Sequence, residues 1–328
     1  MKKTGNPTMK DVAREAGVAL GTVSKVINGI PVGLSYKRRV DAAIEKLGYQ
    51  VDHYAQGLKT NRTQCVALLM PSLQHPFFAI LTDELTACLM RNGYRSILMI
   101  TNYDPEAEKK CLRLVRQNKV DGVIALTYSP DLLPDDATPM VTIDRHGGER
   151  IPCVSSDNYR GGELAAEKLI ELGCKKLLFM AVGSDIPGEV TKRGVGFEAA
   201  CRRLQAEHEQ IILRDADTEA PFYTFLQEHL REGRLDFDGI FCNTDRLACR
   251  VRAFLSEQGV NIPQDVQLIG YDGITDYATG RYACSTIVQP IAQMAETAVR
   301  LLLDNGGAVS PSTVCLPVRY AQGGTTRE

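Results

Sequence analysis

No apolar run in this sequence approaches the roughly 20 residues that a membrane-spanning helix needs, and its first residues contain no apolar signal-peptide core. Both absences predict a soluble chain of the cytoplasm. The first strand is not followed by the GxGxxG turn of a dinucleotide site. There is also no P-loop, no GxSxG nucleophile turn and no HExxH metal helix. The five histidines, His53, His75, His146, His208 and His229, show no metal-ligand spacing. The ten cysteines are scattered, with no CxxC and no zinc-type pairing, so they read as small buried thiols rather than as disulfides. No metal and no cofactor are expected.

Charge is what the sequence distributes unevenly. The chain of 328 residues nets −2, yet residues 1–64 carry 11 Lys and Arg against 5 Asp and Glu. That head nets +6 and the remainder −8. A basic head on an acidic body is the electrostatic footprint of a phosphate-binding module. At this length two or three compact units are expected.

The basic head has a recognisable pattern. Val12, Ala13 and Ala16 fall at helical spacing, Gly17 allows a tight turn, and Thr22, Val23 and Val26 resume the helical spacing. Two short helices folded over one glycine turn describe a helix-turn-helix whose second helix enters the major groove of DNA. A third helix fits residues 35–47, with Ser35 as its N-cap, Val40, Ala43, Ile44 and Leu47 as its apolar stripe, and Gly48 as its stop. A polar connector follows over residues 51–64, with a helix-capable piece at 54–59 that contains Leu58.

From Cys65 onward buried strands alternate with amphipathic helices. Strands are predicted at 65–71, 94–100, 120–126, 140–144 and 153–157, with helices at 77–92, 104–118 and 160–172. A second round has strands at 175–181, 237–243 and 266–272, with helices at 193–207, 246–258 and 291–303. Continuous apolar strands alternating with helices imply parallel sheets covered on both faces. The fold class is therefore a small all-α helix-turn-helix head followed by an α/β body of two Rossmann-like parallel-sheet subdomains. The carboxyl ends of the strands, facing each other across a cleft, are the expected small-molecule site.

The stretches MKDVAREAGV, GTVSKVING, IEKLGY, HPFFAIL, SSDNYRGGELAAEKLIELG, TKRGVGF, CNTDRLA and VQLIGYDG run over nearly the whole chain. Together they resemble the LacI/GalR family of bacterial transcription regulators, and the body is also similar to periplasmic sugar-binding proteins. The resemblance implies a DNA-binding domain at 1–50, a hinge helix and linker at 51–64, and a two-lobed effector-binding and dimerisation domain at 65–328. It implies a homodimer on palindromic double-stranded operator DNA, acting as a repressor under the control of a small molecule, most simply a carbohydrate.

Carried over residue by residue, the resemblance sets Leu20, Gly21 and Lys25 toward bases. It sets Thr22, Ser24 and Asn28 toward phosphates and backbone, and Leu58 as a minor-groove wedge. In the cleft, Arg193 grips the effector and Asp272 accepts from its hydroxyls. Phe77 and Phe78 line the opposite wall, where core packing accounts for them nearly as well. Asp157, Asn243, Thr244 and Asp245 complete the candidate set.

The chain also departs from the family pattern. Ala19 removes a capping hydroxyl worth about 1 kcal/mol, the loop 29–34 is short, and Val51 replaces a proline. Gly57 weakens the hinge helix, and Ala216 stands where many members carry a stacking aromatic. The chain ends GGTTRE with no leucine-heptad extension, so a tetramer built that way is not expected. A transport-type binding protein, or an enzyme on the same α/β body, is the alternative.

Overall fold

The structure, a computed structural model, describes residues 7–49, 63–117, 120–129, 138–148, 150–183, 188–214, 219–304 and 313–328. The chain forms two compact units, Met1–Thr63 and Gln64–Glu328. Leu58 and Gly57 of the expected hinge helix lie outside the described residues, as do Val51 and Ala216.

The first unit holds α1 (Met9–Ala16), α2 (Leu20–Ile27) and α3 (Leu34–Leu47). Helix α1 starts with a capping box: the Asp11 N–H donates to Thr8 Oγ1, and the Thr8 N–H donates to Asp11 Oδ2 at 3.0 Å. Such a cap is worth about 1 kcal/mol. Gly17 ends α1 in the left-handed region at φ 62°, where a β-carbon is penalised. Its carbonyl accepts from Arg39 Nη2 of α3 at 2.7 Å, which pins the turn. Val12, Ala13, Ala16, Val23, Val40 and Ala43 make the core of this unit. Helix α2 begins at Ala19 with no side-chain cap. Ser35 does not cap α3: the helix starts one residue earlier, with Gly33 at the N-cap, and Lys37 N–H closes the first turn on the Gly33 carbonyl at 3.1 Å. Ser35 is thus already helical.

The second unit runs β1 (Cys65–Met70), α4 (Pro76–Arg91), β2 (Arg95–Ile100), α5 (Pro105–Gln117), β3 (Gly122–Ala125), β4 (Met140–Ile143), β5 (Cys153–Ser156) and α6 (Asn158–Glu171). It continues through β6 (Lys176–Gly183), a 3₁₀ turn (Glu189–Thr191), α7 (Lys192–Arg203), β7 (Glu207–Arg214), α8 (Ala220–Glu228), β8 (Leu230–Arg231) and β9 (Arg234–Leu235). It ends with β10 (Gly239–Cys242), α9 (Asp245–Glu257), β11 (Gln267–Asp272), β12 (Ser285–Val288), α10 (Ile291–Asp304), β13 (Thr313–Leu316) and β14 (Arg319–Ala321).

Two six-stranded sheets result. The first has the order β13-β5-β4-β3-β1-β2 and is wholly parallel. The second has the order β14-β12-β11-β10-β6-β7, parallel except for β14. The sheets do not follow the sequence in two blocks. Helix α10, expected to continue the second round, packs in the first lobe: Met294, Ala295, Ala298, Val299 and Leu302 share a core with Val66, Leu81 and Leu85. Helix α6, expected in the first, packs on α7 against the second sheet, with Ala165, Ala166 and Leu169 beside Phe197 and Tyr271. The chain therefore passes between lobes three times: before α6, before α10, and between β13 and β14. Each lobe's sheet is completed by strands from the far end of the sequence.

Candidate functional site

Helix α2 carries the DNA-facing candidates. Its inner face is Val23, fully buried. Leu20, Gly21 and Lys25 are exposed, Thr22 and Ser24 are half-buried, and Asn28 caps the helix end. The spacing of 20, 21, 24, 25 and 28 puts these residues on one side of two helical turns. Asn28 Nδ2 lies 3.4 Å from Ser24 Oγ, so these two form a small polar ledge at the end of that face.

The second site lies at the carboxyl ends of the parallel strands. Arg193, on the first turn of α7, is 3 % exposed. Its Nε donates to Asn158 Oδ1 at 2.7 Å and its Nη1 to the Asn243 carbonyl at 2.6 Å. The guanidinium lies 3.6 Å from the centroid of the Tyr271 ring, and Nη1 is 3.9 Å from Asp272 Oδ1. A fork of fixed donors is thus held from three places, α6, the residue that follows β10, and the end of β11.

Asp272 ends β11 at φ 124°, a conformation that costs a non-glycine residue about 1–3 kcal/mol. Its Oδ1 accepts from Gln289 Nε2 at 2.8 Å, while Oδ2 is buried with no hydrogen-bond partner. Burial pushes its carboxyl well above the usual range, against the pull of Arg193. Gln289 Oε1 accepts from Ser156 Oγ at 2.8 Å, and Ser156 Oγ pairs with the Tyr271 hydroxyl at 3.2 Å. Asp144 is a second buried acid near Arg193, likewise raised by burial. It accepts from Ser155 Oγ at 2.7 Å, and Ser155 Oγ accepts from Asn158 Nδ2 at 2.9 Å. From the first lobe His75, the N-cap of α4, brings a buried and unpartnered Nδ1. Burial first, then the charges of Arg246 and Arg193, push it down to about 4, so its ring is neutral at pH 7. A recess is lined by Arg145, Val182, Val190, Thr191, Ile212 and Asn243, the last of which accepts from Arg193.

The other expected cleft residues occupy different posts. Phe77 and Phe78 are buried in the first lobe's core, with Phe78 5.0 Å from the His75 ring. Asp157 caps α6 by accepting from the Arg160 N–H at 2.9 Å. Thr244 caps α9 by accepting from the Leu247 N–H at 3.1 Å. The Asn243 side chain is spent on the Val182 backbone, accepting from its N–H and donating to its carbonyl; only its own carbonyl faces Arg193. Asp245, buried and raised to about 6 by desolvation, accepts from the Gly273 and Ile274 N–H groups at 2.9 and 2.7 Å. It holds the segment that follows Asp272. Sequence reasoning missed His75, Asp144, Asn158, Tyr271 and Gln289. The signal for His75 and Asn158 lay inside quoted motifs, HPFFAIL and SSDNYRGG.

Residues 8–52 match the family model for bacterial regulatory proteins of the lacI family. Residues 63–302 match that for periplasmic binding proteins and the sugar binding domain of the LacI family. The chain belongs to the LacI family. Among relatives of this LacI-family chain, the sucrose operon repressor of Streptococcus mutans is 30% identical over 323 residues, covering 96% of this chain and 98% of that one. The ribose operon repressor of Bacillus subtilis is 32% identical over 327 residues, covering 98% and 99%. A crystal structure of the lac repressor dimer bound to operator and the anti-inducer ONPF superposes with a TM-score of 0.83. It covers 98% of this chain and 100% of that one at 22% identity, a likeness of fold. The helix-turn-helix and the two-lobed body are thus the family's own architecture.

Proposed function

We propose that this LacI-family chain is a repressor that reads a palindromic operator as a homodimer, its grip set by a sugar or sugar derivative bound between the lobes of its body. The observation that carries the effector reading is Asp272 Oδ2: a buried carboxyl oxygen with no partner, beside the Arg193 guanidinium that Asn158 and Asn243 hold in place. Leaving such an acceptor empty costs about 1–3 kcal/mol. A ligand hydroxyl would satisfy it, and Arg193 beside it offers donors to a second ligand oxygen. The names of the sucrose and ribose operon repressors support a carbohydrate.

In this reading residues 1–50 bind DNA, 51–64 form the hinge with Leu58 as its wedge, and 65–328 bind effector and dimerise. Leu20, Gly21 and Lys25 read bases, while Thr22, Ser24 and Asn28 position the helix on phosphates. Lys25 donates to guanine as a point charge, without arginine's two-pronged fork. Asp157, Thr244 and Asp245 shape the cleft through the caps and turn they hold, and Phe77 and Phe78 support its wall. Effector binding alters lobe closure and with it the spacing of paired heads; a coupling of about 1–3 kcal/mol would change operator affinity 5- to 150-fold. The chain acts in the cytoplasm and carries out no catalysis.

Paired variants test the assignment. In thermal-shift measurements with a panel of free mono- and disaccharides, the wild type should gain about 2.7 kcal/mol with a true effector at 100 times its Kd. Arg193→Ala should lose that gain and keep its affinity for duplex DNA selected from a random pool. Lys25→Ala should do the reverse, keeping the gain while losing discrimination at one base pair. A normal dose response in Arg193→Ala would refute the pocket, and an unchanged sequence preference in Lys25→Ala would refute the reading face.

A further inference from the structure

Burial pushes the thiols of Cys153 and Cys201 up to about 12 and that of Cys174 up to about 11, which makes them poor nucleophiles. Cys249 departs from that pattern. It lies one turn after Asp245 and one turn before Arg252 on α9, half-buried, on the helix face that meets Ala283 and Cys284, the two residues before β12. Cys284 in turn sets its Sγ 3.4 Å from Asp245 Oδ1. Arg252, three residues on from Cys249, donates from Nη1 to the Ala283 carbonyl at 3.0 Å. That bond holds a guanidinium against the segment carrying Cys284. Contact with Cys284, helped by the charge of Arg252 and opposed by burial and Asp245, brings the Cys249 thiol down to about 7. A half-buried thiol next to a cation and a second thiol is the microenvironment of a reactive cysteine.

We propose that Cys249 and Cys284 form a thiol pair oxidised by hydrogen peroxide, a modification site coupled to the cleft through Asp245. The Cys249 thiolate attacks one peroxide oxygen, the O–O bond breaks, and hydroxide leaves with the proton first shed by Cys249 as water. The Cys284 sulfur then attacks the Cys249 sulfenic sulfur. The S–O bond breaks as the S–S bond forms, and the departing hydroxide takes the Cys284 proton, handed on by Asp245, as a second water. Two thiols lose two electrons and one peroxide gains them. Bringing the sulfurs to about 2.05 Å draws Cys284 off Asp245. Asp245 is the residue that holds the Gly273 and Ile274 N–H groups, immediately after Asp272. Oxidation thus loosens the segment that anchors the cleft acid. The modification goes beyond the repressor reading and does not depend on it.

The full-length chain is treated with hydrogen peroxide and mapped by mass spectrometry with and without reduction, while amide hydrogen exchange is followed at Gly273 and Ile274. A Cys249–Cys284 disulfide should form before Cys111 or the exposed Cys315 reacts, and exchange at both amides should speed up about tenfold. Cys249→Ser should abolish both effects. Iodoacetamide at neutral pH should alkylate Cys249 about tenfold faster than Cys315, following the thiolate fractions. The proposal is overturned if Cys249 reacts no faster than Cys315, or if peroxide drives it to sulfinic acid without linking Cys284. It is equally overturned if the disulfide leaves exchange at Gly273 and Ile274 unchanged.

Discussion

At the scale of single residues, the cleft concentrates polar atoms that a fold built only for stability would avoid. Asp272 combines an unfavourable backbone angle with an unpartnered oxygen, and His75 keeps a ring nitrogen buried without a partner. His75 has a measurable signature. With its folded pKa held down to about 4, the native state binds fewer protons than the unfolded chain between about pH 4 and pH 6.5. The stability tied to its neutral form is complete above that window and is lost as pH falls through it. Thermal melts of His75→Gln should therefore vary less between pH 7 and pH 4.5, the wild type losing roughly 2 kcal/mol more over that range. Parallel curves would show that His75 carries no such penalty. The sequence named Arg193 and Asp272, and the structure sets them 3.9 Å apart. It did not name the groups that hold them, because those pairings are long-range: Ser156 meets Gln289 across 133 positions and Arg193 meets Asn158 across 35. No local pattern announces such a bond.

At the scale of elements, legibility follows the length of the apolar run. Strands β1, β3 and β10, covered on both faces, read as apolar runs. The edge strand β7, EHEQIILR, is exposed along one face and carries no such run. The short β12, β13 and β14 offer only two or three apolar residues each and leave no signal of their own. The crossing of α6 and α7 was legible only as glycines in two motifs. A β-carbon on Gly162 would stand 1.9 Å from the Arg193 carbonyl, and one on Gly196 2.0 Å from the Tyr159 carbonyl. The two helix backbones touch, and Arg193 is part of the contact. Gly162→Ala must push α7 away, costing about 1–3 kcal/mol of stability and dragging the guanidinium off Asn158 and Asn243. Calorimetry should show the lost stability, and the sugar-induced thermal shift should shrink as in Arg193→Ala. A variant that melts like the wild type would mean that the helices can separate freely.

At the scale of the whole molecule, the helix-turn-helix unit has its own core of Val12, Ala13, Ala16, Val23, Val40 and Ala43, and the body has its own sheets and clusters. Residues 64–328 alone should keep the sugar-dependent thermal shift and lose retention of labelled duplex DNA in a gel. DNA binding by that fragment would overturn the division of labour. The alternation of strands and helices foretold two sheets. It did not foretell the three passages between lobes, because α10 is amphipathic in the same way whichever sheet it covers. Those passages also set a timetable. Synthesis runs from the amino end at about 5–20 residues per second. The helix-turn-helix is complete once Tyr49 has emerged, whereas the first lobe waits for β13 at Thr313–Leu316 to fill its sheet edge. On the ribosome the part that grips DNA is finished early and the part that governs the grip is finished last, so a nascent chain passes through an interval in which it holds a reader without a regulator.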